Sequence, residues 1–597
     1  VGPEDLSPPE RRLWDAFPTA GRVDLRVGDP AADDPARGAA WGPERVVRAE
    51  VVAALLLGAR EAESGHTAGV QLVGARIAGR LALDHAEIHQ HLRLTDCSFE
   101  ESVDLYGART RQLTFNGSHL PGMLASHLWA EGSLRLTGCT TTGKVRLVAT
   151  RIAGALILNA ARLHNPDGEA LNATRLQVDN DILMRDGCTA QGTVVLRSAR
   201  VGGSIDLRGA RLDATTGEAA LDAARVQIEG DFSAYRLSAT GRLALRNATV
   251  AGATFLRAAE LDNAAGRTLD APGAHLGSDV VLDNGFRSHG QIRLADATVG
   301  GRLVMSGAEL RADADDAALD AYGIQIGADA VLDRLTATGL VRMSGAQITG
   351  RIQAGGSRIS AHSPGGSGIY GPGTTALSLR RTAAREADLH TTRLDGALDL
   401  RYSALGVLHD AADTWPARIR LDGAVYEQLH NPLSAAERLP WLNPGDGTYV
   451  PQPYEQLAAA YRGLGHEDDA RRVLLAKQRA RRARLPWYAR AWGIVQDATV
   501  GYGYRPERAV GWLAGLLALG SLLFHADPPR PLEPDKKVDF NPFVYTLDTL
   551  LPVVDFGQGT AFTPDGGTRW VAYLLVAAGW ILATAVAAGA ARALNRP

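Results

Sequence analysis

The side chains best suited to chemistry lie in a few short stretches of the 597-residue chain. His85, His89 and His91, with Asp84 and Glu87, are of metal-ligating type, and His89 and His91 fall on one face of an extended strand, as two ligands must. No fourth group follows at comparable spacing, which favours a solvated cluster at the start of the strand Leu92–Leu94. Thr499 to Gly503 spell Thr-Val-Gly-Tyr-Gly, whose carbonyls can line a potassium filter when the string follows a pore helix between two spans. Here it precedes the first apolar segment and reads as a juxtamembrane turn. Gly366, Gly368 and Gly371 have dinucleotide-loop spacing, but Pro372 and Gly373 prevent the helix that would receive a pyrophosphate, leaving a long corner. Cys139 and Cys188, 49 residues apart, read as one packing column. No nucleophile elbow stands at a strand-to-helix turn, and paired acids such as Asp315 and Asp316 sit on exposed corners. Asp548 and Asp555 interrupt an apolar stretch, where a carboxylate can attract cations. No catalytic, cofactor-binding or metal-binding residue emerges, and no cofactor is expected.

The elements that carry these residues follow from composition and spacing. Hydrophobic residues at 45% and charged residues at 22% exclude wholesale disorder. The 66 glycines come with 28 prolines and no Gly-X-Y period, which excludes collagen. Three cysteines are too few for a disulfide framework, and a net charge of -3 gives no reason to expect nucleic acid. Glu4, Asp5 and Glu10 to Arg12 stand where a secretory leader needs apolar residues, so none is expected. Ser7 and Glu10 have capping-box spacing, and Val46, Val47, Val51, Ala54 and Leu55 suggest a second helix from Pro43 to Leu57. Residues 1–65 are thus expected to form a helical cap.

From 66 to 430 the chain repeats. Gly143, Gly192, Gly241, Gly290 and Gly339 are spaced by 49 residues, and so are Gly154, Gly203, Gly252, Gly301 and Gly350. Behind the second set come Leu156, Ile205, Thr254 (the exception), Leu303 and Ile352. Short alternating apolar runs between glycine corners predict strands of three to five residues. Two units of eleven make a coil of 22, and 49 is one such coil plus a second of 27 with a five-residue insertion. The fold class expected is an all-β solenoid, a β-helix on the order of 75 Å long at about 4.8 Å per rung. Insertions such as Asp213–Glu218 and Arg311–Asp316 should line one edge. Glycines at this frequency would cost helical repeats about 1 kcal/mol each.

Beyond the repeats the texture becomes helical. Residues 450–500 read as a helical hairpin and a basic juxtamembrane segment. Residues 505–597 read as a two-helix transmembrane anchor, with uncharged runs from Ala509 to Phe524 and between Arg569 and Arg592. The loop 541–556 between them is expected to be interfacial or re-entrant. Arg471, Arg472, Lys477, Arg479, Arg481, Arg482, Arg484, Arg490, Arg505 and Arg508 precede the first run, and Arg592 and Arg596 follow the second. By the positive-inside rule both ends face the cytoplasm, in a multi-pass protein of the plasma (inner) membrane.

Leu6-Ser-Pro-Pro-Glu-Arg-Arg-Leu-Trp14, Trp41-Gly-Pro-Glu-Arg45, Tyr454-Glu-Gln-Leu457, Leu485-Pro-Trp-Tyr-Ala-Arg490, Gly501-Tyr-Gly-Tyr-Arg-Pro506 and Tyr545–Pro552 together resemble a group of bacterial membrane-anchored β-solenoid proteins. These are usually labelled "membrane-associated oxidoreductase", and their repeats are loosely similar to pentapeptide-repeat proteins. The resemblance transfers no catalytic residue, and no flavin, nicotinamide, haem or iron–sulfur signature stands in the chain. The expected function is a membrane-anchored cytoplasmic scaffold or binding module with membrane lipid and a protein as partners. The alternatives are a cation channel-like protein with Asp548 at its mouth, regulated by the solenoid, and the membrane oxidoreductase of the family label.

Overall fold

The computed structural model describes residues 3–214, 219–312, 317–361, 375–431, 433–442, 449–503, 507–533, 539–551 and 553–594. The insertion residues 215–218 and 313–316 and the glycine-rich stretch Gly366–Gly371 lie outside them. The chain divides into two compact units, residues 1–432 with 443–445, and residues 433–442 with 446–597.

The first unit is a parallel β-solenoid of about 15 turns. One coil runs through Leu113–Thr114, His119–Leu120, Met123–Leu124 and Trp129–Ala130, and the next begins with Leu134–Arg135. Each coil therefore has four faces, here numbered in that order. The first and fourth belong to one sheet, the second and third to the other. Most strands are two residues long, not the three to five expected, because a corner every five or six residues leaves only two in extended geometry. Two corners per coil turn through a left-handed residue. Gly117, Gly138, Ala160 and Gly209 do so between the first and second faces, and His127, Ala149, Arg175 and Ser198 between the third and fourth. L-residues adopt that conformation at a cost of about 1–2 kcal/mol. It is held by backbone bonds to the next coil, such as Ala149 N–H to Thr174 O at 2.9 Å.

Partners on the second face alternate 27 and 22 residues apart: Arg162 with Thr189, Thr189 with Arg211, Arg211 with Ser238, Ser238 with Glu260. The extra residues all leave at one corner, between the second and third faces. The two glycine columns serve different needs. Gly192 lies at that corner with φ +109°, and a Cβ there would come within 2.2 Å of the Asn165 carbonyl oxygen in the insertion of the preceding coil. Gly301, between the fourth and first faces, has an ordinary φ but packs so closely that a Cβ would meet the Asp279 backbone nitrogen at 2.9 Å.

The interior is filled by columns of like residues. Leu156, Ile182, Ile205, Phe232, Thr254, Val280 and Leu303 stack on the first face, all buried. Thr254 sits directly beside Phe232, where a short side chain offsets the volume of the ring. Cys97, Cys139 and Cys188 are all buried.

At the start of the solenoid, the helix expected from Pro43 to Leu57 is instead a 3-10 turn Pro43–Arg45, a strand Val46–Arg48 and a helix Ala49–Leu56. Val46–Arg48 pairs with Arg76–Ala78, and Arg22–Asp24 with Gln71–Val73. The open edge of the first full coil recruits these segments because its backbone groups would otherwise lack partners. Glu10, 2% exposed, binds them together. It accepts from Ser7 N–H at 2.8 Å, from Arg48 N–H at 2.9 Å, and from the Arg48 guanidinium at 2.8 and 2.9 Å. Burial pushes the Glu10 carboxyl up, but the Arg48 and Ser7 hydrogen bonds outweigh it and bring it down to about 2.

In the second unit, helices Gln452–Gly463 and Glu467–Arg482 form a hairpin that buries Leu457, Tyr461, Val473 and Leu474. Helices Trp487–Val500, Glu507–Ala526, Pro542–Leu550 and Thr568–Leu594 follow. Among the described residues one helix, Arg508–Ala526, is long and apolar enough to cross a membrane, where two were expected. The described apolar stretch of the second, Thr568–Thr584, is shorter.

Two outcomes test this account. Gly192→Ala should destabilise the solenoid by about 3 kcal/mol, because strain and overlap add. Gly209→Ala, with nothing within 4 Å of the added methyl, should cost about 1 kcal/mol; equal losses in thermal unfolding would refute the distinction. Because Glu10 titrates below the ordinary carboxyl range, the stability it adds is complete above about pH 4.5 and is lost as pH falls toward 2. Hydrogen exchange should show Pro8–Ala16 and Val46–Arg48 opening first on acidification. Glu10→Gln should open them at neutral pH by about 3 kcal/mol.

Candidate interaction surface

The outward residues of the second face form two parallel files where the long coils leave the solenoid. Ser238, Glu260, Arg287 and Glu309 make one, and Thr240, Asp262, His289 and Arg311 the other. Between them runs an open groove of about 560 Å³. Arg287 lies between two acids, 3.7 Å from Glu260 and 3.3 Å from Glu309, and His289 Nδ1 is 3.3 Å from Asp262. These charges are exposed, so their mutual attraction adds little stability. The floor is fixed more firmly: the Thr268 and Ser288 hydroxyls share a 2.6 Å hydrogen bond, and Ser288 donates to Gly290 O.

Two described loops of the insertion edge are built alike. The side-chain amides of Asn165 and Asn263 donate to the carbonyls of Glu169 and Arg267, at 2.8 and 2.7 Å, closing equivalent loops. The mixed-charge face and its insertion edge are compatible with a scaffold or binding module.

The residues singled out for chemistry are dispersed. His85 occupies a left-handed corner and stacks edge-on against Tyr106 at 5.3 Å, while His91 opens the strand His91–Thr95. Among the described residues no three His, Cys, Asp or Glu side chains come together as a metal site. Both oxygens of Asp548 are engaged in a turn, accepting from Phe556 N–H at 2.7 Å and Gly559 N–H at 2.6 Å, and Asp555 accepts from Gly557 N–H. The filter-like string forms the end of the helix Trp487–Val500 and a 3-10 turn, Gly501–Gly503, with Tyr502 left-handed at φ 55°. Nearby, Asp497 gathers the basic helix. It accepts from Arg479 at 2.8 and 2.9 Å and from Arg482 at 3.3 Å. The bonds from Arg479 hold its carboxyl below the usual range against partial burial. The spacing of the charges offered no signal for this clasp.

Apolar side chains dominate the rest of the second unit. Phe524, Tyr545, Leu550, Phe562, Ala572 and Leu575 form a buried cluster that joins the two long apolar helices to Pro542–Leu550. Gly520 and Gly579 permit the approach: a Cβ would lie 2.4 Å from Thr546 Cγ2 in one case and 1.9 Å from Leu550 O in the other. Outside this cluster the same helices present Val510, Leu519, Leu522, Trp570, Leu574 and Trp580 to the exterior.

Comparison with known proteins finds no matching family model, no matching curated protein and no matching solved structure.

Burial holds the three cysteine thiols unreactive by pushing Cys97, Cys139 and Cys188 up to about 12. The native protein at pH 8 should therefore react with no equivalent of a thiol reagent, and with three after denaturation. A thiol titrating rapidly in the folded protein would contradict the packing described for this column.

Proposed function

We propose that the protein is a membrane-tethered scaffold whose β-solenoid presents a binding face. The observation carrying this reading is the solvent exposure of the second unit's apolar helices. Only 17% of the apolar window of Arg508–Ala526 is buried. Leu522 is 68% exposed and Trp570 74%, and contiguous apolar surface of this kind marks a membrane or protein interface. Trp512, Trp570, Tyr573 and Trp580 on these helices are of the type that sits at the lipid–water boundary.

On this reading both helices span an inner membrane, Pro542–Leu550 lies against them as an interfacial element, and the basic segment 471–508 places the solenoid on the cytoplasmic side. The solenoid supports the binding role because parallel rungs hold exposed side chains in rigid files without needing a cleft. The quoted sequence motifs support placing the chain with the bacterial membrane-anchored β-solenoid proteins that it resembles.

The test is membrane retention. The full chain should resist alkaline extraction from membranes, whereas Leu519→Arg/Leu522→Arg/Ile581→Arg should be released with its β-type circular dichroism unchanged. A native chain that is soluble and monodisperse without detergent would overturn the proposal. Because the native thiols are buried, single cysteines introduced at Thr336 and Glu533 can report sidedness. Only the Glu533 position should react with an impermeant reagent applied from the periplasmic side.

A further inference from the structure

On the third face an ion pair recurs over three successive long coils and is absent from the next; Asn172 holds the equivalent position on the long coil before them. Asp222, Asp270 and Asp320 occupy the outward position on successive long coils, and each is nearly buried. Arginines from neighbouring coils cover them: Arg197 on Asp222, Arg246 on Asp270 at 3.7 Å, and Arg342 on Asp320 at 2.6 Å. The next long coil has Ser378 at this position, paired in register with Arg342 below and Asp399 above. The carboxylate is missing, but the arginines remain.

A concave site of about 550 Å³ results, lined by Arg342, Arg380, Arg381, Arg401 and Arg420. Ser344 and Ser378 form part of its floor, their hydroxyls 2.8 Å apart. Arg401 is held by Asp399 at 2.7 Å and Arg342 by Asp320. Among the described residues, Arg380, Arg381 and Arg420 have no carboxylate within ion-pair distance, and Arg380 Nε is buried without a hydrogen-bond partner. Tyr402 stands between Arg380 and Arg381, its ring centre 5.9 Å from each guanidinium carbon. Counting the nearby acids Asp320, Asp399 and Asp422, positive charge remains in excess. The arginines are spread over rungs about 4.8 Å apart, a spacing that suits a ligand with two linked anionic groups. Planar guanidinium forks bind phosphate oxygens in pairs.

We infer that this hollow on the third face binds a small phosphate-bearing molecule carrying at least two negative charges, which supplies the counter-charge absent at Ser378. The inference rests on the reading of the solenoid as a binding module and gives that module a ligand class. Free phosphate compounds and phospholipid headgroups share the chemistry.

The experiment uses the full chain in uncharged detergent and isothermal titration with inorganic pyrophosphate or glycerol-3-phosphate, with sodium chloride at matched ionic strength as reference. Saturable binding above the chloride reference is expected. Ser378→Asp restores the carboxylate of the repeat, so it should fold at least as stably as the native chain and weaken binding about tenfold or more; Arg380→Gln/Arg381→Gln should weaken it similarly. Tighter binding of glycerol-3-phosphate would support a headgroup, and tighter binding of pyrophosphate a free phosphate compound. Binding no greater than the chloride reference, or undiminished binding by a folded Ser378→Asp variant, would overturn the inference. Membrane retention of the same variants is read separately, so failure of this site is distinguishable from failure of the tether.

Discussion

The parallel hydrogen-bond ladder between successive coils is the constraint from which the solenoid follows. Each two-residue strand is too short to be stable alone, and gains its partners only from the coil before and the coil after. Two demands result. Backbones must approach to rung distance at the corners, which excludes a Cβ at Gly301. Inward side chains must be small or branched enough to stack on their own kind, which explains a lean interior of Leu, Ile, Val, Ala and buried cysteine. Because each coil touches chiefly its neighbours, stability is local and additive, as in other quasi-one-dimensional folds.

Most of this architecture was legible in the sequence. The two glycine columns, the alternation of coil lengths and the single insertion edge were readable because the repeat samples each position several times. Thr254, the exception in its column, becomes intelligible only beside Phe232, a neighbour one coil away rather than one repeat away. The four-sided coil was less visible. Two-residue strands carry too little periodicity to be distinguished from corners, and β-branched Val46 and Val47 fit a helix or a strand until the open edge of the first coil decides. The arginine hollow was hidden for another reason. Ser378 aligns with Asp222, Asp270 and Asp320 only after the longest insertion, beginning near residue 361, has been bridged.

The two units rest on opposite kinds of surface. The solenoid turns charge outward, in pairs that lie across neighbouring coils and so tie rung to rung. The second unit turns apolar groups outward and keeps its interior small, with Gly520 and Gly579 allowing helices to touch at the backbone. Asp548 fits the same pattern: both of its oxygens accept from backbone donors of its own turn, so its charge stiffens that turn.

Because the long coils alternate with short ones, the roots of the insertions at His164, Asp213, Asp262 and Arg311 recur every second rung, about 10 Å apart along the axis. That interval is twice the strand spacing, so the roots of the insertions stand in one evenly pitched row. The edge is therefore a comb, and its pitch is set by nothing more than the parity of coil lengths.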